Sequence, residues 1–486
     1  MATTTLPDQH RSTAGRARSR ARWSRLLQIT AAYLILGTGS IFMLLPFLWM
    51  LSTSLKPQQL VLQIPPQWIP NPVAWENYIK IWDLVPLAAG FRNSALVAVL
   101  GTVGVLVGSS LAGFAFAKLR FPGREALFIV ALGTMMIPGA VLLIPQFVLF
   151  RQFGWINTLL PLIVPSLFGA PYETFFFRQF FRTIPDELVD AATIDGCSFF
   201  GIYWRVMLPL ATPVVAALTI LAFMWRWNDF LGPLIYLHRP ERQTLPVLIA
   251  TFQSQYISDY APMMAVSVLS MLPIIVLFFL AQRYFIEGIT MTGLRGGVCL
   301  FSEKMMALPH RLNGPSWWPR SRMKRNEALW GYLFVLPLFL GFLLFLGGPL
   351  LASLVLSFMK WDILSAPQWV GAANYVELAG DEIVGRAFYN TVFLMLGIPA
   401  GIMLSLLLAM AMNQPIRGIA AFRVIYFLPV ISSIAAVALL WRWIYNPQFG
   451  LLNYMLGLVG IPGPDWLGST AWAKPALILM GIWGAR

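Results

Sequence analysis

Glu173, Arg226 and Asp229 are ionisable residues inside long apolar stretches of this chain. A charge at the centre of a bilayer costs about 3 kcal/mol or more unless it is paired or hydrated, so such residues mark a solute path, a relay or an internal ion pair. Arg226 and Asp229 stand three positions apart, with Asn228 between them. On one continuous helix that spacing puts the two charges on a shared face, where they could pair. Glu173 follows Pro171, at an expected kink. At about 1.5 Å per residue, Arg226 lies roughly 25 Å beyond Pro209, in the outer half of its span. Two readings stay open: Glu173, Arg226, Asn228 and Asp229 line a translocation path, or a buried pair locks helices together. For Asn93, Ser109, Ser110 and Asn390 hydrogen bonding between helices is the expected role.

Other chemistry is excluded by what is missing. The three histidines, His10, His238 and His310, lie outside the apolar stretches, which disfavours haem ligation between spans. The two cysteines, Cys197 and Cys299, make neither a disulfide framework nor a metal-binding spacing, so no metal site is expected. No nucleophile stands with a plausible base. The chain has no Gly-x-x-x-x-Gly-Lys-Ser/Thr run, so it cannot cradle nucleotide phosphates, and no cofactor is expected on it.

The most informative polar stretch runs from Asp186 to Leu210, DELVDAATIDGCSFFGIYWRVMLPL. Pro185 and Asp186 start a helix whose first turn holds Glu187 and Asp190, acids that suit the positive end of the helix dipole. Ala191 and Ala192 offer a small, smooth surface for close approach by another protein. Asp195 and Gly196 provide a sharp turn into a second short helix, and Leu208-Pro209 closes that helix as the chain returns to the apolar phase. A short helix pair rigidly joined to two spans can convert a partner's closure into helix movement.

The elements that must position these residues are membrane helices. Of 486 residues, 58% are hydrophobic and 11% charged, less than half the charged share of ordinary soluble domains. With 19 Trp, 35 Phe and repeated apolar runs of about 20 residues, the chain belongs in a lipid bilayer. This excludes a soluble enzyme, a disordered protein and a disulfide scaffold. Apolar spans are expected near 26–51, 94–117, 126–150, 158–181, 211–237 and 263–282. After a break the pattern resumes at 330–358, 388–412, 422–445 and 472–483. The formal net charge of +14 resides in loops beside the spans rather than in a nucleic-acid-binding patch. Six arginines precede residue 26 against Asp8 alone, which places the N-terminus in the cytoplasm. Counting spans then puts 118–125, 182–209 and the basic segment after Arg283 inside, with 56–92 and 239–262 outside. The expected fold class is therefore all-α integral membrane, a polytopic helix bundle of about ten spans, six plus four.

The chain also repeats itself. Asn77-Tyr78 recurs as Asn374-Tyr375, and Phe91-Arg92-Asn93-Ser94 as Phe388-Tyr389-Asn390-Thr391, both 297 positions on. Pro66-Gln67-Trp68 corresponds to Pro367-Gln368-Trp369, and Phe153-Gly154 through Asn157 to Phe449-Gly450 through Asn453. Asn, Gly and Trp carry this register, so apolar bias alone does not produce it. The organisation expected is a six-span unit at 1–297 with its loop at 186–209, a cytoplasmic linker at 298–327, and a partial second unit of about four spans at 328–486. Pro309, Gly314 and Pro315 keep the linker from forming one helix.

Within the loop, Asp190-Ala191-Ala192, three residues, Gly196, nine residues, Val206, one residue, Leu208-Pro209 resembles the cytoplasmic coupling loop of ABC importer permeases. That loop runs Glu-Ala-Ala, three, Gly, nine, Ile, one, Leu-Pro; Asp190 replaces Glu and Val206 replaces Ile. Phe176–Phe181, Trp227-Asn228-Asp229-Phe230-Leu231 with Pro233-Leu234, Leu245-Pro246 and the ending Gln282-Arg283-Tyr284-Phe285 resemble the carbohydrate permeases of the maltose and glycerol-phosphate type. Residues 328–486 are similar to the partner subunit of those importers and stop before a second coupling loop. The resemblance implies a permease that moves a sugar or sugar-like solute inward by alternating access in a bacterial inner membrane. It implies ABC ATPase subunits that hold the ATP-Mg, a second permease subunit and an external solute-binding protein as partners. It further implies that Gln253, Gln255 and Tyr256 reach toward the binding protein. An ion-coupled secondary transporter, driven through Glu173 and Asp229, is the alternative; a membrane-embedded transferase is the third.

Overall fold

The computed structural model of the chain describes residues 9–255, 259–293, 321–363 and 365–484. It is helical throughout apart from one two-stranded hairpin, β1 (Met359–Lys360) antiparallel to β2 (Gln368–Trp369). Among the described residues six helices are long and apolar enough to cross a membrane. Three further pairs are bent at a short break, and Ala473–Trp483 is a shorter apolar helix. These account for every span expected above, and the fold is an all-α polytopic membrane bundle. The chain packs as two compact units interleaved in sequence.

One unit gathers Trp82–Gln255 and Ser270–Gly380. Its axis is α4 (Leu87–Lys118), against which α8 (Pro171–Thr183), α12 (Thr212–Trp227) and α16 (Arg322–Phe342) pack. Glycines explain how closely the segment leading into α8 approaches α4. A Cβ on Gly104 would lie 2.6 Å from the Leu167 side chain, and one on Gly108 only 2.5 Å from the Gly169 backbone nitrogen. Between membrane helices, where lipid is as apolar as leucine, small residues permit the backbone contact that drives association. At the Lys118 end of α4 the packing becomes aromatic. Phe114 meets Phe181 edge-on at 6.2 Å, with Tyr203 and Phe334 at about the same spacing.

Two expected spans of this unit are not straight. For 126–150, α5 (Arg124–Gly133) and its terminal turn to Met136 meet α6 (Gly139–Gln152) at 97°. Pro138 supplies no amide hydrogen and drives Ile137 to extended backbone, so the helix breaks there. For 211–237, α12 ends at Trp227 and the short α13 (Leu231–Tyr236) follows. Asp229 interrupts it, its Oδ1 accepting from the Gly232 amide at 3.3 Å. The first helix of the second repeat, α16, also lies in this unit. It continues through a widened turn at Leu343–Gly347 into α17 (Gly348–Leu356), the hairpin and α18 (Ala373–Gly380).

The other unit joins Met1–Ile81 and Tyr256–Leu269 to Asp381–Arg486. Here α1 (Gln9–Ser54) packs on α20 (Gly397–Met412), α21 (Ile419–Ile431) and α22 (Ile434–Ile444). At the far end of α1, Trp49 stacks on Trp443 at 4.5 Å and meets Trp68 edge-on at 5.1 Å. The Lys56 ammonium lies 3.8 Å above the Trp49 ring. The pair α21–α22, expected as one span at 422–445, bends by 92°. The bend follows Pro429 and falls at the extended Ser432-Ser433.

Candidate functional site

The loop at 186–209 folds into two short helical pieces set at the end of α4. Asp186 begins α9 (Glu187–Ile194), with Glu187 and Asp190 in its first turn. Gly196 follows at φ +80°, a left-handed turn that costs any residue with a Cβ about 1–2 kcal/mol. Ser198 then caps α10 (Phe199–Ile202), its hydroxyl accepting from the Gly201 amide at 3.2 Å. Glu187, Asp190, Ala191, Asp195 and Gly196 are exposed. Ala192 is not: with Val189 it is buried in the aromatic core below, so it seats the helix instead of presenting a surface.

Leu208 and Pro209 lie in the last turn of the second helical piece. The chain stays helical through a widened turn at Tyr203–Met207 into α11 (Leu208–Leu210), and the 78° bend into α12 falls after Pro209, at Ala211. The widened turn sits where the Pro209 ring would otherwise meet the Arg205 carbonyl. Sequence reasoning passed over the apolar residues of this loop. Ile194 is 86% exposed, and Leu188, Phe200 and Trp204 are exposed as well. Their signal was available: an isoleucine beside Asp195-Gly196 in a charged turn has no spacing that would bury it.

Glu173, Arg226 and Asp229 lie in the same unit as this loop. Glu173 is buried in the first turn of α8, whose start is tied to α4 by Ser109. The Ser109 hydroxyl accepts from the Ala170 amide at 2.8 Å and donates to the Ala170 carbonyl at 3.2 Å. Arg226 donates to the Ser166 hydroxyl at 3.2 and 3.4 Å and to the Ala222 carbonyl at 3.1 Å. Gly101 makes the room: a Cβ there would lie 2.7 Å from the Arg226 side chain. The helix ends between Arg226 and Asp229, so the two do not share a helix face and form no ion pair within 4.0 Å. Arg226 is within electrostatic reach of both Glu173 and Asp229. Asn228 is buried beside them, and Trp227 donates its indole N–H to the Ser270 carbonyl at 3.0 Å. The guanidinium is thus held by Ser166 and Ala222, with the two carboxylates in its field, and the Asp229 carboxylate accepts from the backbone beyond the helix end. Ser166 and Gly101 were not legible in advance, because only the fold brings them to Arg226.

Gln253 and Gln255 fall in the last turns of α14 (Leu245–Gln255), where the structure describes the backbone only, and Tyr256 lies outside the described residues. Among the described residues no group of His, Cys, Asp and Glu is arranged to hold a metal ion.

The fold is thus a membrane helix bundle with close glycine-mediated packing and an exposed two-helix loop rooted in its core. Residues 104–290 match the family of binding-protein-dependent transport system inner membrane components. The chain is 39% identical over 228 residues to the arabinooligosaccharide transport permease AraQ of Halalkalibacterium halodurans, covering 47% of this chain and 81% of that one. It is 31% identical over 264 residues to the lactose transport permease LacG of Rhizobium radiobacter, covering 54% and 96%. A solved bacterial ABC transporter involved in alginate import is similar at 21% identity and a TM-score of 0.47, covering 58% of this chain and 100% of that one. The chain belongs to the binding-protein-dependent permease family. It is a multi-pass inner-membrane permease subunit of an ABC importer, and a transport protein rather than an enzyme.

Proposed function

We propose that this permease carries a sugar or small oligosaccharide inward, and that α9 is the handle by which a separate ATPase drives it. The relatives named above transport arabinooligosaccharides and lactose, which supports the substrate class. The observation that carries the coupling reading is the set of α9. Val189 and Ala192 root it in the helix core, while Ile194 stands 86% exposed beside the Gly196 turn. An apolar side chain so placed on a rigid helix is an anchor for a partner's pocket.

In this reading the N-terminus and the 186–209 loop face the cytoplasm, and ATP-Mg is held by the ATPase subunits. Closure of those subunits rocks the helices between inward- and outward-open states. Glu173, Arg226, Asn228 and Asp229 line the path, where carboxylate and amide oxygens accept from sugar hydroxyls. An external solute-binding protein delivers the substrate near Gln253, Gln255 and Tyr256. Residues 1–297 correspond to one permease unit, 298–327 to a linker and 328–486 to a partner-type permease region, with a second permease subunit in the assembly. The test is a thiol cross-link from Ile194→Cys to the ATPase in native membranes. The reading expects the link to form and to change with nucleotide. Absence of any link from this position, or its labelling from the periplasmic face, refutes it.

A further inference from the structure

The turn that follows α4 takes hold of two things at once. On one side, the Lys118 side chain, only 3% exposed, pairs with the Asp186 carboxylate and also donates to the Ile184 carbonyl at 2.5 Å. These are the residues that launch α9. On the other side, the Arg120 amide donates to Glu327 Oε1 at 2.7 Å, and the Tyr332 hydroxyl donates to the Pro122 carbonyl at 2.8 Å. Glu327 and Tyr332 belong to α16, the first helix of the second repeat. Phe121, between those contacts, packs on Tyr332 at 5.2 Å and closes against Gly331, where a Cβ would come within 2.4 Å of its ring.

We infer that Lys118 is the positioning residue that joins the coupling loop to α4, and that residues 118–122 pass its motion on to α16. One loop would then move helices of both repeats. The inference rests on the coupling reading above. Its physical core is the attachment of a nearly buried ammonium to the start of a short helix. Asp186 and the Ile184 carbonyl are both held, so α9 cannot tilt without either breaking the pair or carrying the end of α4. The Glu327 and Tyr332 bonds are to backbone atoms of the turn, so its displacement is transmitted whatever side chain Arg120 carries.

The experiment uses the full chain with its ATPase in native membranes, in a background where Cys197 and Cys299 are serine. Lys118→Met keeps the length of the side chain and removes its charge; Asp186→Asn keeps a helix-starting residue and removes the acceptor charge. Both variants are expected to reach the membrane at normal level, to cut uptake at least fivefold, and to leave the Ile194→Cys link to the ATPase intact. The double variant Lys118→Cys, Asp186→Cys should behave the same when reduced. It should recover uptake when bridged by a short, reducible bis-methanethiosulfonate, and lose it again with reductant. A side chain that served only to stabilise the fold would not give that reversible recovery. Glu327→Gln with Tyr332→Phe should lower uptake without disturbing the link. Uptake at the native rate in Lys118→Met and Asp186→Asn, or a bridged protein as inactive as the reduced one, overturns the inference. Loss of the Ile194→Cys link in the unaltered background instead refutes the coupling reading itself.

Discussion

Asn374 makes the same hydrogen bonds as Asn77. The Asn77 amide donates to the Ser54 and Lys56 carbonyls at 2.9 and 2.8 Å, while Asn374 donates to those of Ser357 and Met359 at 2.9 Å each. The following tyrosines agree: Tyr78 pairs with the Ser54 hydroxyl at 2.7 Å, Tyr375 with that of Ser357 at 2.6 Å. In each case a side-chain clamp ties the end of one helix to the start of the next segment. Asn77 is buried, so Asn77→Ala should cost about 1–3 kcal/mol by stranding two carbonyls. Asn374 is half-buried and water can replace it, so Asn374→Ala should cost less. Thermal unfolding of the two variants in detergent checks the order.

Gly196 sets the angle between α9 and α10. Its left-handed backbone cannot be adopted by proline, whose φ is held near −65°. Gly196→Pro, or Asp190→Lys in the exposed first turn of α9, should abolish uptake while leaving membrane insertion unchanged. Gly196→Ala, strained by about 1–2 kcal/mol with open space around it, should be partly active. Solute uptake measured beside the membrane-inserted amount separates these outcomes.

Two glycines of α4 should fail differently. A methyl at Gly101 meets the flexible Arg226 side chain, which can move, whereas one at Gly108 meets the Gly169 backbone, which cannot. Gly101→Ala should therefore fold normally but release Arg226 from Ser166 and alter uptake. Gly108→Ala should destabilise the bundle by about 1–3 kcal/mol, the usual cost of overpacking. The melting temperature and the uptake rate of each variant discriminate between them.

Lys56 should give this protein a pH-dependent stability. Burial lowers its pKa from 10.5 to about 8, with no hydrogen-bond acceptor for the ammonium and the Trp49 face as partial compensation. The unfolded chain holds this proton more tightly than the folded one. The penalty is therefore complete below about pH 8 and is relieved as pH rises from there toward 10.5. Stability should increase over that window by something on the order of 2–3 kcal/mol. Lys56→Met should be more stable at pH 7 and lose this dependence. Melting curves at pH 7, 8.5 and 10 for both proteins decide it; a flat profile in the native chain would contradict the assignment.

Much was legible from residues alone because a bilayer forces simple rules. Every backbone group in the apolar phase must be bonded within a helix, so apolar runs of sufficient length reveal spans directly. The loop at 186–209 was legible for the opposite reason: its charged and small residues have no place inside a span. The repeat showed because Asn77 and Asn374 are costly polar choices in an apolar chain.

What sequence could not show is which atoms meet. Ala192 read as surface because alanine fits either place; only the packing of α9 into the aromatic core turns it inward. Arg226 and Asp229 read as a helical pair because three residues is the right spacing on an unbroken helix. The break after Trp227 sends Arg226 to Ser166 instead. Helix breaks and long-range partners depend on the free energy of whole packed surfaces, to which each residue contributes little. So composition and periodicity determined the class of molecule, its spans and the position of its loop. The tertiary structure alone decided that Lys118, at the end of one helix, holds the start of another 68 positions away.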